Sequence, residues 1–327
     1  MHDMILMADP KSKSWEFSRK IQEYLKNEKK IDVPLRMVDI RKFNNGEIDM
    51  YVPQNVRKKD IYFVHDSTKN PQDWWIELIL LKDLLLRASA SSVTFVLPDM
   101  LYSRKDRKEK PHVPISARAL ADTLTPGLRR IITVDLHAAQ IQGFYPASVP
   151  LDNLYSFPAT VRFLKETRIL GEPEELVVLS PDVGGVERAR NFANRLGSRH
   201  PIAFIYKRRD KPGEIGEMTL VGDVSGKDVL IVDDIIDSGG TLCKASELLK
   251  KNGAKNLYCY GTHGLFTKGI EELQKHFAII MTSNTNFREK DGLIVIDVSP
   301  LFAEAIYRAQ VGQSISELFD NGSNGKN

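Results

Sequence analysis

The chain has 327 residues, enough for two domains. Its 42% apolar and 27% charged content is that of a soluble globular protein, and a net charge of +3 is too small to argue for nucleic acid or a membrane surface. No apolar run is long enough to span a bilayer, and Met1-His2-Asp3-Met4 does not begin a signal peptide. Cys243 and Cys259 lack metal spacing and read as small buried apolar residues in a reducing, cytoplasmic compartment.

Ile5 to Met7 predicts a short strand, and Phe17, Ile21, Tyr24 and Leu25 give a helical stripe. Leu35 to Ile40 reads as one strand, Phe43 to Glu47 as a turn, and the alternation to Val52 as a second extended arm. Ile61 to His65 is a strand, Trp74, Leu78, Leu81 and Leu85 mark a long helix, and Val93 to Leu97 is another strand. Such alternation with short connections argues an α/β layered domain with a mostly parallel sheet. Arg104 to Lys110 is the most charged segment; it reads either as a solvated loop or as a basic flap that closes over a polyphosphate with Arg forks. Ser116 to Leu124 is helical, and Arg130 to Val134 is a strand that ends in Asp135-Leu136-His137. His137 thus falls at a strand's carboxyl end, where open sheets place their ligands, whereas His65 lacks supporting neighbours and reads as structural.

Near residue 150 the pattern restarts. Pro146, Pro150 and Pro158 read as a linker, and the division falls at 1–152, 153–311 and 312–327. Leu176 to Leu179 is a strand, Ser180 to Gly185 a loop, and Val186 to Leu196 a helix. Ile202 to Tyr206 is a strand ending in Lys207-Arg208-Arg209, and Thr219 to Val224 looks like a hairpin arm. Val229 to Val232 reads as a buried parallel strand, and Leu242, Ala245, Leu248 and Leu249 share one face of a helix that stops near Gly253. Leu257 to Tyr260, Ala278 to Met281 and Leu293 to Val298 are strands; Pro300 to Gln310 and Ile315 to Phe319 are helices; residues 321–327 read as a disordered tail. The two similar halves suggest a duplication, with no direct sequence repeat.

The stretch that organises the chain is Val229 to Thr241. Gly239 and Gly240 let backbone approach a ligand, and the helix start offers unpaired N–H groups suited to a phosphate. Ser238 and Thr241 add hydroxyl donors. Asp233, Asp234 and Asp237 are wrong for a phosphate but suit sugar hydroxyls or a metal, so one loop with both characters suggests a sugar phosphate.

This stretch resembles the 5-phosphoribosyl 1-diphosphate (PRPP) loop of type I phosphoribosyltransferases and of PRPP synthases. From about Met4 to Phe319 the chain resembles the ribose-phosphate diphosphokinase (PRPP synthase) family. Asp135 to Phe144 is similar to that family's metal and ATP signature, Ser180 to Gly185 to its second metal segment, and Lys207-Arg208-Arg209 to the start of its catalytic loop. Arg104-Lys105-Asp106-Arg107 is similar to its ATP flap, and Phe43 to Glu47 to the loop that receives adenine from a neighbouring subunit.

The resemblance implies two type I phosphoribosyltransferase-like domains and transfer of the β,γ-diphosphoryl group of Mg-ATP to the anomeric hydroxyl of ribose 5-phosphate, giving PRPP and AMP. It implies catalytic roles for Lys207, Arg209 and His137, with His137 and Asp182 at Mg²⁺. Asp233, Asp234, Asp237, Ser238, Gly239, Gly240 and Thr241 would take ribose 5-phosphate; Phe43, Asn45, Glu47, Arg104, Lys105, Asp106 and His137 would take ATP. A homohexamer built from dimers is implied, with no nucleic-acid or membrane partner. The family usually has Gln at Lys105 and often Asp at Asn45, departures that bear on nucleotide choice. Two alternatives stay open: a non-catalytic regulatory homologue, and a phosphoribosyltransferase that consumes PRPP, although the latter needs only one such domain.

Overall fold

The computed structural model describes residues 3–207, 218–287 and 292–319. The expectations for Arg208 and Arg209 and for the tail at 321–327 lie outside the described residues. The chain divides into two compact units: the first holds residues 3–155, 285–287 and 298–319, the second most of 156–284 together with 292–297.

In the first unit the chain runs β1 (Met4–Ala8), α1 (Ser14–Lys29), β2 (Leu35–Met37), β3 (Asp39–Lys42), β4 (Ile48–Tyr51), β5 (Asp60–Val64), α2 (Pro71–Arg87), β6 (Ser92–Leu97), α3 (Ser116–Leu124), β7 (Arg130–Val134) and β8 (Leu151–Leu154). Six of these strands form a parallel sheet in the order β2-β1-β5-β6-β7-β8. Its strands are near-continuous apolar runs because helices cover the faces. Met7, Phe63, Phe95 and Ile131 pack with Trp74, Leu78, Leu81 and Leu85 of α2 and Leu120 and Leu124 of α3.

Three expectations are corrected here. Leu35 to Ile40 is not one strand: the chain leaves the sheet at buried Val38, whose amide donates to Ala8 O, and turns into the separate β3–β4 hairpin. The proline-punctuated stretch near 150 is not only a linker. Pro150 O accepts the Ile131 amide, and Leu151 to Leu154 extend the sheet as an edge strand, where a preceding proline is tolerated. Pro158 sits in the first turn of a helix, where its missing N–H is no loss.

The second unit contains α4 (Phe157–Thr167), β9 (Val177–Ser180), α5 (Val186–Leu196), β10 (Ala203–Lys207), β11 (Met218–Val221), β12 (Val229–Ile236), α6 (Gly240–Lys251), β13 (Leu257–Gly264), α7 (Glu271–Gln274), β14 (Ile279–Ser283) and β15 (Leu293–Ile296). The strand order is β11-β10-β9-β12-β13-β14-β15, parallel except for β11, which runs back along β10 from Met218 opposite Lys207. Leu242, Ala245, Leu249 and Leu273 cover one face, and Val161, Leu164, Phe192 and Leu196 the other.

The last helix, α8 (Ser299–Val311), counts with the first unit rather than with the second half that the sequence division assigned to it. Phe302 packs edge-on against Phe17 of α1 at 5.4 Å between ring centroids. Glu304 takes Lys29 at 2.6 Å and Tyr24 at 3.4 Å, and Gln310 Nε2 donates to Asp60 at 3.1 Å.

Candidate functional site

In the second sheet the chain leaves β9 towards β10, while β12 lies on β9's other side and leads on to β13. That reversal of direction puts a crevice at the carboxyl ends of β9 and β12, the place where open α/β sheets hold ligands. Its depth comes from unequal pairing. β9 pairs with β12 only as far as Ile231, whereas β13 follows β12 to Ile236. Asp233 and Asp234 therefore stand on a strand whose β9-facing edge has lost its neighbour.

Alternation along β12 sends Asp233 and Asp234 to opposite faces. Arg188, the third residue of α5, answers both, with Nη1 3.0 Å from Asp234 Oδ1 and 3.6 Å from Asp233 Oδ1. Asp233 Oδ1 also accepts the Asp234 amide at 2.9 Å. Burial, then the Asp234 carboxylate, push the Asp233 carboxyl well above the usual carboxylate range, with Asp182 adding to the shift and Arg188 opposing it. Asp182 follows β9 and closes its own turn: Oδ1 accepts the Gly185 amide at 3.1 Å, and its carbonyl accepts Ser180 Oγ at 2.7 Å. Gly185 is fixed by space, since a Cβ there would lie 2.6 Å from Ser180 Oγ.

Past β12, Asp237 is held by the Thr267 hydroxyl at 2.7 Å. Gly239 then adopts φ +79°, and α6 starts at Gly240 with no side-chain cap on its first amides. Such a helix start, with hydroxyl residues Ser238 and Thr241 in the same stretch, is of the kind that suits an anion. Lys207 ends β10, the strand beside β9, half-buried and carried to the same edge of the sheet. So the second unit gathers Lys207, Asp182, Asp233, Asp234 and the segment 237–241 at one sheet edge, and Arg209 lies outside the described residues.

The first unit carries the other candidates on three connections. The loop after β6 holds Arg104, Lys105 and Asp106, and the loop after β7 holds His137. The structure links these two: Gln140 Nε2, in the 3₁₀ turn Ala139–Phe144, donates to Asp106 Oδ2 at 2.6 Å. Lys105 pairs with Glu109 at 2.5 Å, and Ala117 at the start of α3 donates its amide to Lys105 O at 3.1 Å. His137 is exposed and follows Asp135, a buried residue at φ 44°. That left-handed conformation is held by the Asp135 amide on Leu154 O at 2.9 Å and the Leu136 amide on Asn153 Oδ1 at 3.0 Å. A strained residue next to a candidate ligand is a familiar mark of a working site.

The third connection is the tip of the β3–β4 hairpin, where Phe43 is 57% exposed. Asn45 Nδ2 donates to Glu47 Oε2 at 2.9 Å and its Oδ1 accepts the Glu47 amide at 3.1 Å, so these two residues close the turn on each other. Among the described residues no group of three or more His, Cys, Asp or Glu is placed to hold a metal ion.

Arg188, Thr267 and Asn153 are site-building residues that the sequence reading missed. Only Arg188 left a signal: an arginine in the first turn of a helix opposes the macrodipole, which suggests an acid nearby.

Two family-level matches cover most of the chain: residues 10–126 match the N-terminal domain of ribose phosphate pyrophosphokinase, and residues 151–301 match the phosphoribosyl transferase domain. The chain is 42% identical over 294 residues to the ribose-phosphate pyrophosphokinase of Cereibacter sphaeroides, covering 87% of this chain and 86% of that one. It is 41% identical over 298 residues to that of Rhizobium meliloti, covering 89% and 94%. The crystal structure of phosphoribosylpyrophosphate synthetase from Mycobacterium smegmatis superposes with a TM-score of 0.83 at 32% identity, covering 95% of this chain and 99% of that one. A chain matched along nearly its whole length, in sequence and in fold, is an enzyme of the ribose-phosphate pyrophosphokinase family.

Proposed function

We propose that the protein transfers the β,γ-diphosphoryl group of Mg-ATP to the anomeric hydroxyl of ribose 5-phosphate, giving PRPP and AMP. The observation that carries this reading is the edge of the second sheet. There the Asp233–Asp234 pair is held ready by Arg188 beside the uncapped first turn of α6. Carboxylates suit the ribose hydroxyls and the helix start suits the 5-phosphate, so both ends of one substrate are recognised within about two turns of chain. Lys207 neutralises charge as it builds on the transferring group, and Arg209 joins it by resemblance. Little covalent chemistry falls to the protein, and positioning and electrostatics carry the rate.

The residues present fit Mg²⁺. Asp182 supplies a carboxylate fixed by its own turn, and His137 an exposed imidazole. Mg²⁺ commonly keeps several waters and leans on substrate phosphates, so few protein ligands are needed. When bound, Mg²⁺ would supply charge neutralisation at the phosphates. Arg104, Lys105, Asp106, Phe43, Asn45 and Glu47 form the ATP end in the same reading, with the hairpin tip serving a neighbouring subunit of a homohexamer. Light scattering tests that part: an active sample of monomeric mass refutes it. A reducing cytoplasmic setting belongs to the same reading; Cys243 and Cys259 are both free thiols, and no helix among the described residues is long and apolar enough to cross a membrane.

Phosphorus NMR of the purified protein with ribose 5-phosphate and magnesium ATP in phosphate buffer decides the reaction. Equal appearance of AMP and PRPP is the expected result. No turnover with ATP or other nucleotides overturns it in favour of the regulatory homologue, and makes Asn45 and Lys105 the first residues to revert.

A further inference from the structure

The loop that carries Arg104 to Asp106 is fixed at its root by a buried polar cluster that no part of the reaction explains. Asp99, two residues past β6, is 4% exposed. Its amide donates to Ser67 Oγ at 3.1 Å, and its carbonyl accepts the same hydroxyl at 2.9 Å. Its carboxylate accepts Nδ2 of Asn286, which is 2% exposed, at 3.0 Å. Asn286 lies in the segment 285–287, which follows β14 in the chain yet counts with the first unit.

Met100 beside Asp99 is buried in the apolar core. Asp99, buried next to it, is a carboxylate that must recover its lost hydration through directed hydrogen bonds. What the polar arrangement provides is direction. Three hydrogen bonds on one residue fix both the peptide and the side chain of Asp99, and five residues later comes Arg104. Further along, Tyr102 sits at φ 64° with its ring edge-on to Trp75 at 4.7 Å between centroids. A left-handed residue needs its neighbours held, and Asp99 is an anchored point three residues upstream.

We infer that Asp99 and Asn286 are positioning residues for ATP: their hydrogen bond sets the register in which the loop after β6 presents Arg104 to Asp106. The inference rests on the proposed function, because it takes the loop to be the ATP end.

The test compares three full-length proteins. Asp99→Leu/Asn286→Leu replaces the pair by apolar side chains, and Asp99→Asn/Asn286→Asp exchanges donor and acceptor. The leucine pair is expected to raise the KM for ATP on the order of tenfold, a size in keeping with slight misplacement of binding groups. The KM for ribose 5-phosphate should stay at the wild-type value, and amide exchange should speed up over residues 101–106. The exchanged pair should restore both readouts. A leucine pair with wild-type ATP KM and wild-type exchange overturns the inference, as does a rise in both substrates' KM together. If the leucine pair fails to fold, the exchanged pair decides: a raised ATP KM there overturns the inference, and wild-type behaviour supports it. Should the wild type itself turn over no ATP, the proposed function fails and exchange alone judges the positioning claim.

Discussion

Arg188 offers the sharpest test of how the Asp233–Asp234 pair is held. It faces two carboxylates, at 3.0 Å and 3.6 Å. Asp234 is 7% exposed, while Asp233 and Arg188 are 20% and 21% exposed. Removing one partner of a fully buried pair costs about 3–5 kcal/mol, mostly because the other charge is left buried and unanswered. With two of the three groups partly solvated, Arg188→Met should cost roughly 2–3 kcal/mol. At about 2–4 °C per kcal/mol for domains of this size, Tm should fall by roughly 4–12 °C, read by calorimetry near pH 8. Asp233→Asn should act in the opposite sense. Burial and Asp234 raise the Asp233 carboxyl in the folded protein, so the folded state binds the extra proton between the unfolded value of 3.8 and the folded one. Stability from this group is thus full below 3.8 and is lost as pH rises through the folded value. Asn carries no charge to lose, so it should stabilise the protein near pH 8 while weakening ribose 5-phosphate binding. The double variant should recover part of what Arg188→Met loses. A Tm for Arg188→Met within about 1 °C of wild type, or a cycle additive to about 0.5 kcal/mol, would refute the pairing argument.

Lys207→Ala should lower kcat far more than it raises the KM for ribose 5-phosphate, because its charge is needed mainly in the transition state; steady-state kinetics showing the reverse split would mean its role is substrate binding. Gly239→Ala places a Cβ 3.0 Å from Leu273 Cγ at φ +79°. That should cost about 1–2 kcal/mol and raise the KM for ribose 5-phosphate, and an unchanged Tm would remove the claim of strain. His65 is buried against Trp74, with Lys69 nearby and Glu77 at 3.4 Å, and burial followed by the Lys69 charge pushes its imidazole down to about 3. Its stabilising share is whole above the unfolded value of 6.5 and is lost as pH falls towards 3. The loss is about 1.4 kcal/mol near pH 5.5, so His65→Phe should flatten Tm against pH between about 5 and 6.5; an unaltered slope contradicts a neutral buried imidazole.

What the sequence showed depended on whether a signal was local. Val229 to Val232 announced a buried strand, and Gly239-Gly240 before an apolar helical stripe announced the turn into α6. The strand's continuation through Asp233 and Asp234 was hidden, because acids are poor strand residues and only pairing with Gly261 to Gly264 carries them. Leu35 to Ile40 has uniform strand character, and nothing local says that Val38 turns the chain out of the sheet. The apolar stripe of α8 was legible, yet which sheet it covers was decided by Phe17 and Lys29, some 280 residues upstream. His65 could be set aside from sequence because no motif supported it, and its stacking on Trp74 is that of a core histidine.

On the proposed reading the sugar site falls in the second unit, and the two sheets differ in a way that bears on it. The first sheet has its own reversal point, between β1 and β5, with β2 on the far side of β1. By the same topological rule a ligand could sit there. The loops at that point are instead engaged with each other. Lys69 Nζ takes Asp9 at 3.1 Å and Glu77 at 2.8 Å, both buried carboxylates. Asp66 accepts the amides of Lys13 and Thr68 at 2.9 and 2.8 Å, and Asp9 accepts the Lys11 amide at 2.9 Å. The groups that would greet a phosphate, an ammonium and amides near a helix start, are satisfied by the protein's own acids. In the second sheet Arg188 meets both Asp233 and Asp234, and the first turn of α6 has no side-chain cap. One architecture thus ties its acids to a lysine and to backbone amides in one unit, and in the other sets them beside a helix start without a side-chain cap, the arrangement on which the proposed sugar site rests.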